Sequence, residues 1–129
     1  MKVMNTINFD AIFLIGPQGS GKGTQGKVLA KKLGFFYWEM GAILREEAKK
    51  DTLFGKKVKD LINAGQLLED EELFRVLQME LPEVIKHKRI LFDGVPRTVP
   101  QGVNLIHYLQ QNGFTKFGAI NMMFQKRSP

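Results

Sequence analysis

The chain has 129 residues, 43% hydrophobic and 25% charged, which is the size and make-up of one globular domain able to bury a core. It has no cysteine, so a disulfide framework and a thiolate zinc site are excluded and a cytoplasmic setting is expected; residues 1–10 lack the apolar stretch of a signal peptide, and no run approaches a membrane span. The net charge of +6 suits polyanionic ligands, yet the lysines are scattered over Lys31-Lys32, Lys49-Lys50, Lys56-Lys57-Lys59 and 86–89 without interleaved aromatics, so solvated helix faces are expected rather than a nucleic-acid or membrane surface.

Residues 1–9 form a short polar lead-in. Ala11-Ile12-Phe13-Leu14-Ile15 is apolar at every position, which predicts a strand in the middle of a parallel sheet covered by helices on both faces. Gly16-Pro17-Gln18-Gly19-Ser20-Gly21-Lys22-Gly23-Thr24 follows, then a helical pattern over 25–33 closed by Gly34. Strand, glycine-rich loop and helix in that order are the context in which such a loop wraps phosphates. Glycines let the backbone curl so that successive N–H groups point inward; the helix N-terminus adds partial positive charge, and Lys22 adds a full one. The hydroxyl comes at Thr24, one place later than in the strict Gly-x4-Gly-Lys-Ser/Thr pattern, because Gly23 intervenes. Val28, Leu29 and Leu33 are expected on the buried side of this helix, with Gly26 weakening it slightly. Residues 35–38 are a candidate short strand, Tyr37 and Trp38 serving packing rather than base stacking.

Between 39 and 81 the pattern is helical and repeatedly interrupted. Ile43, Leu44 and Ala48 make one apolar stripe. Asp51 or Thr52 can cap the next helix, with Phe54, Val58, Leu61 and Ile62 inward and Gly65 past its end. Asp70 can cap a third, burying Leu73, Phe74 and Leu77 until Pro82 breaks it. Three short helices exceed what a plain crossover needs, so 39–81 is expected as an inserted, mobile subdomain within a single domain spanning 1–129. The next strand is expected over 89–93, a helix over 98–111 with Val103, Ile106 and Leu109 inward, and a last strand over 117–124. Alternating strands and helices predict an α/β sheet.

Asp93 closes an apolar strand, at the edge where open α/β sheets bind ligands. A carboxylate there can hold Mg²⁺, directly or through water, beside phosphates on Lys22; a turn-forming Asp before Gly94 is the plainer alternative. Arg97 follows Gly94-Val95-Pro96, where proline stiffens the turn that aims it, and its guanidinium can grip a phosphate with two hydrogen bonds. Arg45, taken alone, reads as a solvated helix residue. His87 and His107 read as ordinary solvated or half-buried histidines, and no nucleophile–base pair stands out.

Taken together, these segments resemble adenylate kinases and related nucleoside monophosphate kinases. The loop Gly-Pro-Gln-Gly-Ser-Gly-Lys-Gly-Thr-Gln at 16–25 is similar to theirs. So is Met40-Gly41-Ala42-Ile43-Leu44-Arg45, beside their Thr-Gly-Asp-x-Leu-Arg, and Asn63-Ala64-Gly65-Gln66-Leu67-Leu68, which an acidic helix start follows. Phe92-Asp93-Gly94-Val95-Pro96-Arg97-Thr98-Val99-Pro100-Gln101 is similar to their Asp-Gly-Phe-Pro-Arg-Thr-x-x-Gln signature. The motifs occur in the family's order and cover nearly the whole chain.

The resemblance implies a three-layer phosphate-loop nucleoside triphosphate hydrolase-like fold, with the loop's strand central in a parallel sheet. It implies that Gly19, Ser20, Gly21, Lys22, Gly23 and Thr24 hold ATP, and that Asp93 contacts Mg²⁺ through water. Residues 39–81 become the cover over a monophosphate acceptor, most simply AMP. Met40, Arg45, Gly94 and Arg97 flank that acceptor, the backbone at Gln66, Leu67 and Leu68 lines its base pocket, and Gln101 contacts its base. The implied reaction is ATP + AMP = 2 ADP by a cytoplasmic, monomeric kinase, with Lys22, Asp93 and Arg97 carrying catalysis. An acceptor monophosphate is largely dianionic at neutral pH, its second pKa being about 6, so no general base is required. Two positions depart from the pattern: Met40 replaces a threonine hydroxyl in the acceptor pocket, and Ala42 replaces a carboxylate near the reacting phosphates. The chain also stops where family members continue into a helix, an ATP-covering lid, and a final strand and helix. The arginines there are worth about 10³–10⁵ in rate for phosphoryl transfer. A kinase fragment or shortened descendant that binds better than it turns over is therefore expected. Its alternative is a catalytically impaired nucleotide-binding or interaction protein on the same scaffold. An unrelated phosphate-loop ATPase is disfavoured by the Gly-Val-Pro-Arg turn.

Overall fold

Strands Ala11–Ile15 (β1), Phe36–Glu39 (β2), Ile90–Asp93 (β3) and Phe117–Asn121 (β4) pair in parallel in the order β2-β3-β1-β4. The computed structural model describes residues 8–16 and 22–121. Parallel neighbours cannot be joined by hairpins, so the connections are helical. They are Lys22–Leu33 (α1), Met40–Ala48 (α2), Leu53–Asn63 (α3), Asp70–Val84 (α4) with a 3₁₀ turn at Ile85–His87, and Val99–Gln111 (α5).

Side-chain alternation divides β1 between two cores. Ile12 and Leu14 join Leu91, Phe35 and, from α1, Ala30 and Leu33. Ala11 and Phe13 face the other way, onto Phe92, Trp38, α4 residues from Leu73 to Val84, and Leu105 and Leu109 of α5. The result is three layers with β1 in the interior of the sheet, as expected for its uninterrupted apolar run. Phe92 packs between the ring of Phe13 at 5.6 Å and that of Trp38 at 5.7 Å. Each fully buried residue of this size contributes about 1.5–3 kcal/mol.

The inward stripes differ from those expected. Val28 is 51% exposed and Val103 62% exposed, while Gly26 and Ala30 of α1, and Gln101 and Leu105 of α5, face inward beside Leu33 and Leu109, which were expected there. Small residues occupy the inner face of α1 because it lies close against the sheet. A Cβ on Gly26 would stand 2.6 Å from Leu14 Cδ2, so the residue read as a mild helix weakener is the point of closest approach. Ile62 of α3 is likewise exposed. β3 begins at Ile90 rather than 89, with the Arg89 guanidinium lying 4.3 Å over the Phe35 ring. The expected strand residues 122–124 lie outside the described residues.

Helices α2 and α3 pack chiefly on each other. Thr52 caps α3, its hydroxyl accepting from the Gly55 N–H at 2.9 Å. For α4 the cap is Glu69, not Asp70, whose backbone is already helical; the Glu69 N–H donates to Glu72 Oε1 at 3.3 Å. Nor does Pro82 end this helix, which continues to Val84. An internal proline costs about 3 kcal/mol, but Leu81 and Val84, on either side of it, are both buried in the core and hold the turn. The expected limit at residue 81 therefore falls inside a helix whose apolar face belongs to the main core.

Candidate active site

Because every strand is parallel, their carboxyl ends share one edge. Glu39 and Asp93 are register partners across β2 and β3, and Leu14 pairs with Asp93 across β1 and β3. At this edge β1 runs out at Ile15, and α1 begins at Lys22. Gly19, Ser20 and Gly21 lie outside the described residues, as does the side chain of Lys22. Gly23 and Thr24 form the first turn of α1, Gly23 half-buried and Thr24 exposed.

Asp93 is 1% exposed. The Tyr37 hydroxyl donates a short hydrogen bond to its Oδ2. Tyr37 lies two residues before Glu39 on β2, so it shares the α1 side of the sheet with Glu39 and Asp93. Burial, and then the charge of Glu39, push the Tyr37 phenol up to about 12, so it stays a donor throughout the neutral range. Sequence reasoning treated Tyr37 as packing alone. It does pack beside Leu91 and Phe35, but its polar end serves Asp93; the signal available was a phenol placed two residues before a strand's carboxyl end.

On the far side of β3 the chain turns at Gly94, with φ of +90°, a left-handed conformation that favours glycine, and then through a cis Val95–Pro96 bond. A Cβ on Gly94 would press on Met40 Cβ at 3.3 Å. Arg97 Nε donates to the Gly94 carbonyl at 2.9 Å, and its backbone N–H donates to Gln101 Oε1 at 2.7 Å. Gln101, 4% exposed, donates through Nε2 to Asp70 Oδ1 at 2.9 Å, and Thr98 Oγ1 donates to the same oxygen at 3.0 Å. Asp70 is thus not the cap of its helix but the anchor joining the start of α4 to the Arg97 turn.

One small cavity opens here, lined by Met40, Leu44, Leu67, Leu68, Leu73, Gly94, Arg97 and Gln101. Of the expected acceptor residues, Met40, Leu67, Leu68, Gly94, Arg97 and Gln101 come together. Arg45 and Gln66 stand outside this lining. Arg45 is exposed and pairs with Glu39 at 3.7 Å across Gly41, whereas the Gln66 N–H turns back to the Leu61 carbonyl at 2.9 Å. Leu44, from the Met40–Arg45 motif, joins the lining, and Leu73, Asp70 and Tyr37 are site neighbours that the motifs did not single out. A roomier groove between α4 and α5 contains none of these residues.

As to metal, no group of three or more His, Asp or Glu side chains gathers as a closed cage among the described residues. A single buried carboxylate near the first turns of α1, as Asp93 is, is instead the donor Mg²⁺ uses when waters and substrate phosphates complete its shell. The residues present fit that ion. No helix among the described residues is long and apolar enough to cross a membrane.

A parallel sheet whose interior strand leads through a glycine-rich loop into a helix, with an aspartate closing the neighbouring strand, defines the class of phosphate-loop nucleotide-binding proteins. The family model described as adenylate kinase matches residues 14–127. An adenylate kinase of Pelagibacter ubique is 40% identical over 94 residues, 73% of this chain and 44% of that protein. One from Thermus thermophilus is 36% identical over 110 residues, 85% of this chain and 56% of its own length. One from Parabacteroides distasonis is 36% identical over 115 residues, covering 89% and 60%. The chain belongs to the adenylate kinase family. It spans about half the length of the curated relatives it matches.

Proposed function

We propose that the chain serves a nucleoside monophosphate kinase reaction, transferring the γ-phosphoryl group of Mg·ATP to AMP to give two ADP. The observation that carries this is the cavity holding Arg97, Gln101, Met40, Leu67 and Leu68 at the same sheet edge as Asp93 and the start of α1. In this reading residues 39–81 form the acceptor-side insertion of a single kinase domain. Arg97 and Arg45 neutralise the acceptor phosphate. Gln101 meets the base, its amide having a second N–H and a second oxygen lone pair beyond the contacts it already makes. Residues 19–24, with Lys22 foremost, would hold the donor phosphates, and Asp93 would hold magnesium through water, an ion that would supply positive charge beside the transferring phosphoryl group.

An acceptor oxygen forms the new P–O bond as the bond to the ADP oxygen breaks, in line. The acceptor is already dianionic, so no protein base takes part. The work left to the chain is to orient two polyanions and balance their charge. A monomer in the cytoplasm belongs to the same reading.

The test is a coupled assay of ATP plus AMP, with calorimetry. Lys22→Ala and Arg97→Ala should each abolish ADP formation, and Arg97→Ala should leave ATP affinity nearly intact. Equal loss of ATP affinity in both variants would argue against separate donor and acceptor sites. A second reading, a nucleotide-binding or interaction protein with impaired catalysis, is favoured by Ala42, which supplies no carboxylate near the reacting phosphates. It expects ATP binding without turnover on any monophosphate, and measurable turnover by this chain would refute it.

A further inference from the structure

We propose that Tyr37 is a positioning residue for the nucleotide-bound magnesium: its hydroxyl sets the orientation of the Asp93 carboxylate. This rests on the reading of Asp93 as the magnesium-side carboxylate. Two features carry it. The half-buried phenol donates directly to Oδ2 of Asp93, which is itself 1% exposed. Tyr37 is also wedged under the start of α1. A Cβ on Gly23 would lie 3.8 Å from its hydroxyl oxygen; one on Gly26 would lie 3.0 Å from Cε1 and 3.8 Å from Asp93 Oδ2. Glycine at 26 lets the helix that follows the phosphate loop lie close against the Tyr37 ring.

A carboxylate with one oxygen held by a hydroxyl donor cannot rotate freely. Metal-ligating carboxylates depend on such outer partners, and losing one typically costs about 10–100-fold in metal affinity. Tyr37 packs under the helix that follows the phosphate loop and donates to Asp93, so its side chain stands between the two halves of the proposed donor site.

The experiment is calorimetric titration of the 129-residue chain with ATP, in EDTA and in Mg²⁺. Tyr37→Phe, which removes the hydroxyl and keeps the ring, should lose about tenfold or more of the magnesium-dependent gain in ATP affinity while metal-free affinity stays within about twofold. Asp93→Asn should lose the same gain, and the double variant no more than the larger single loss. Tyr37→Phe that keeps the gain while Asp93→Asn loses it overturns the positioning role alone. A gain unaffected by Asp93→Asn, or absent from the unsubstituted chain, overturns the magnesium reading of Asp93 and the positioning role with it. Equal losses with and without metal would assign Tyr37 to the loop's structure and refute the proposal. If Tyr37→Phe does not fold, carbon-13 at Cζ of the chain's two tyrosines gives the answer in the unsubstituted chain. The Tyr37 signal should move when Mg²⁺ joins bound ATP and stay put with ATP alone; a signal indifferent to the ion refutes the proposal.

Discussion

Gln101 shows how much one buried amide can hold. Its oxygen takes the Arg97 N–H and its nitrogen donates to Asp70, so one side chain ties the arginine turn to the first residue of α4. Substituting Gln101→Leu leaves the volume roughly filled but strips both bonds. An orphaned buried donor or acceptor costs about 1–3 kcal/mol. The urea midpoint of Gln101→Leu should fall accordingly, and in the two-substrate assay the KM for AMP should rise while the KM for ATP stays near its starting value. A rise in both by the same factor would place Gln101 outside the acceptor side. At this scale the sequence was legible where the chemistry is local. Asp93 and Arg97 were named from a strand end and a proline turn, and the structure brings Asp93 to the sheet edge and Arg97 to the cavity. Tyr37 and Asp70 were misjudged because their partners lie 56 and 31 residues away along the chain.

Elements are held together at their ends by similar devices. Asp10, just before β1, accepts from the Thr115 N–H at 2.8 Å, the Thr115 hydroxyl at 3.3 Å and the Lys116 N–H at 3.1 Å, so it clasps β1 to the start of β4. The Thr115 backbone N–H is the first cause that holds its carboxyl below the ordinary aspartate range. A depressed pKa stabilises the fold above the unfolded value of about 3.9, and that contribution is lost as pH falls through it toward the folded value. Asp10→Asn should therefore lower stability at pH 7 by about 1 kcal/mol, a charge-assisted contribution discounted for partial exposure. In urea unfolding, the gap between Asp10→Asn and the unsubstituted chain should narrow below about pH 4. A gap that is constant with pH would mean the charge of Asp10 contributes nothing. Helix stripes were the least legible feature here. Val28 and Val103 were expected inward on hydrophobicity, but close approach to the sheet selected Gly26 and Ala30, and a polar tether selected Gln101.

For the whole molecule, the proposed donor and acceptor sites lie on opposite sides of β3: Asp93 with Tyr37 on one, and the Arg97 cavity on the other. If both fill, each ligand adds its own stabilisation by mass action, about 2.7 kcal/mol at a hundredfold excess over its Kd. For a chain of this size each kcal/mol raises Tm by about 3–6 °C. Mg·ATP and AMP together should then raise the melting temperature by more than either alone, measured by circular dichroism. An AMP effect abolished by saturating ATP would show that the two compete for one site.

From its amino-acid order alone this chain determined a parallel α/β sheet, a phosphate loop after its interior strand, and the family it resembles. Those features depend on runs of neighbouring residues, where apolar continuity, glycines and a lysine act over a few positions. The order of residues could not decide which helix faces turn inward, that α4 passes through Pro82 into the core, or that a tyrosine on β2 would hold an aspartate on β3. Those outcomes depend on how closely separate elements approach, and that distance exists only once the sheet has brought distant stretches of chain side by side.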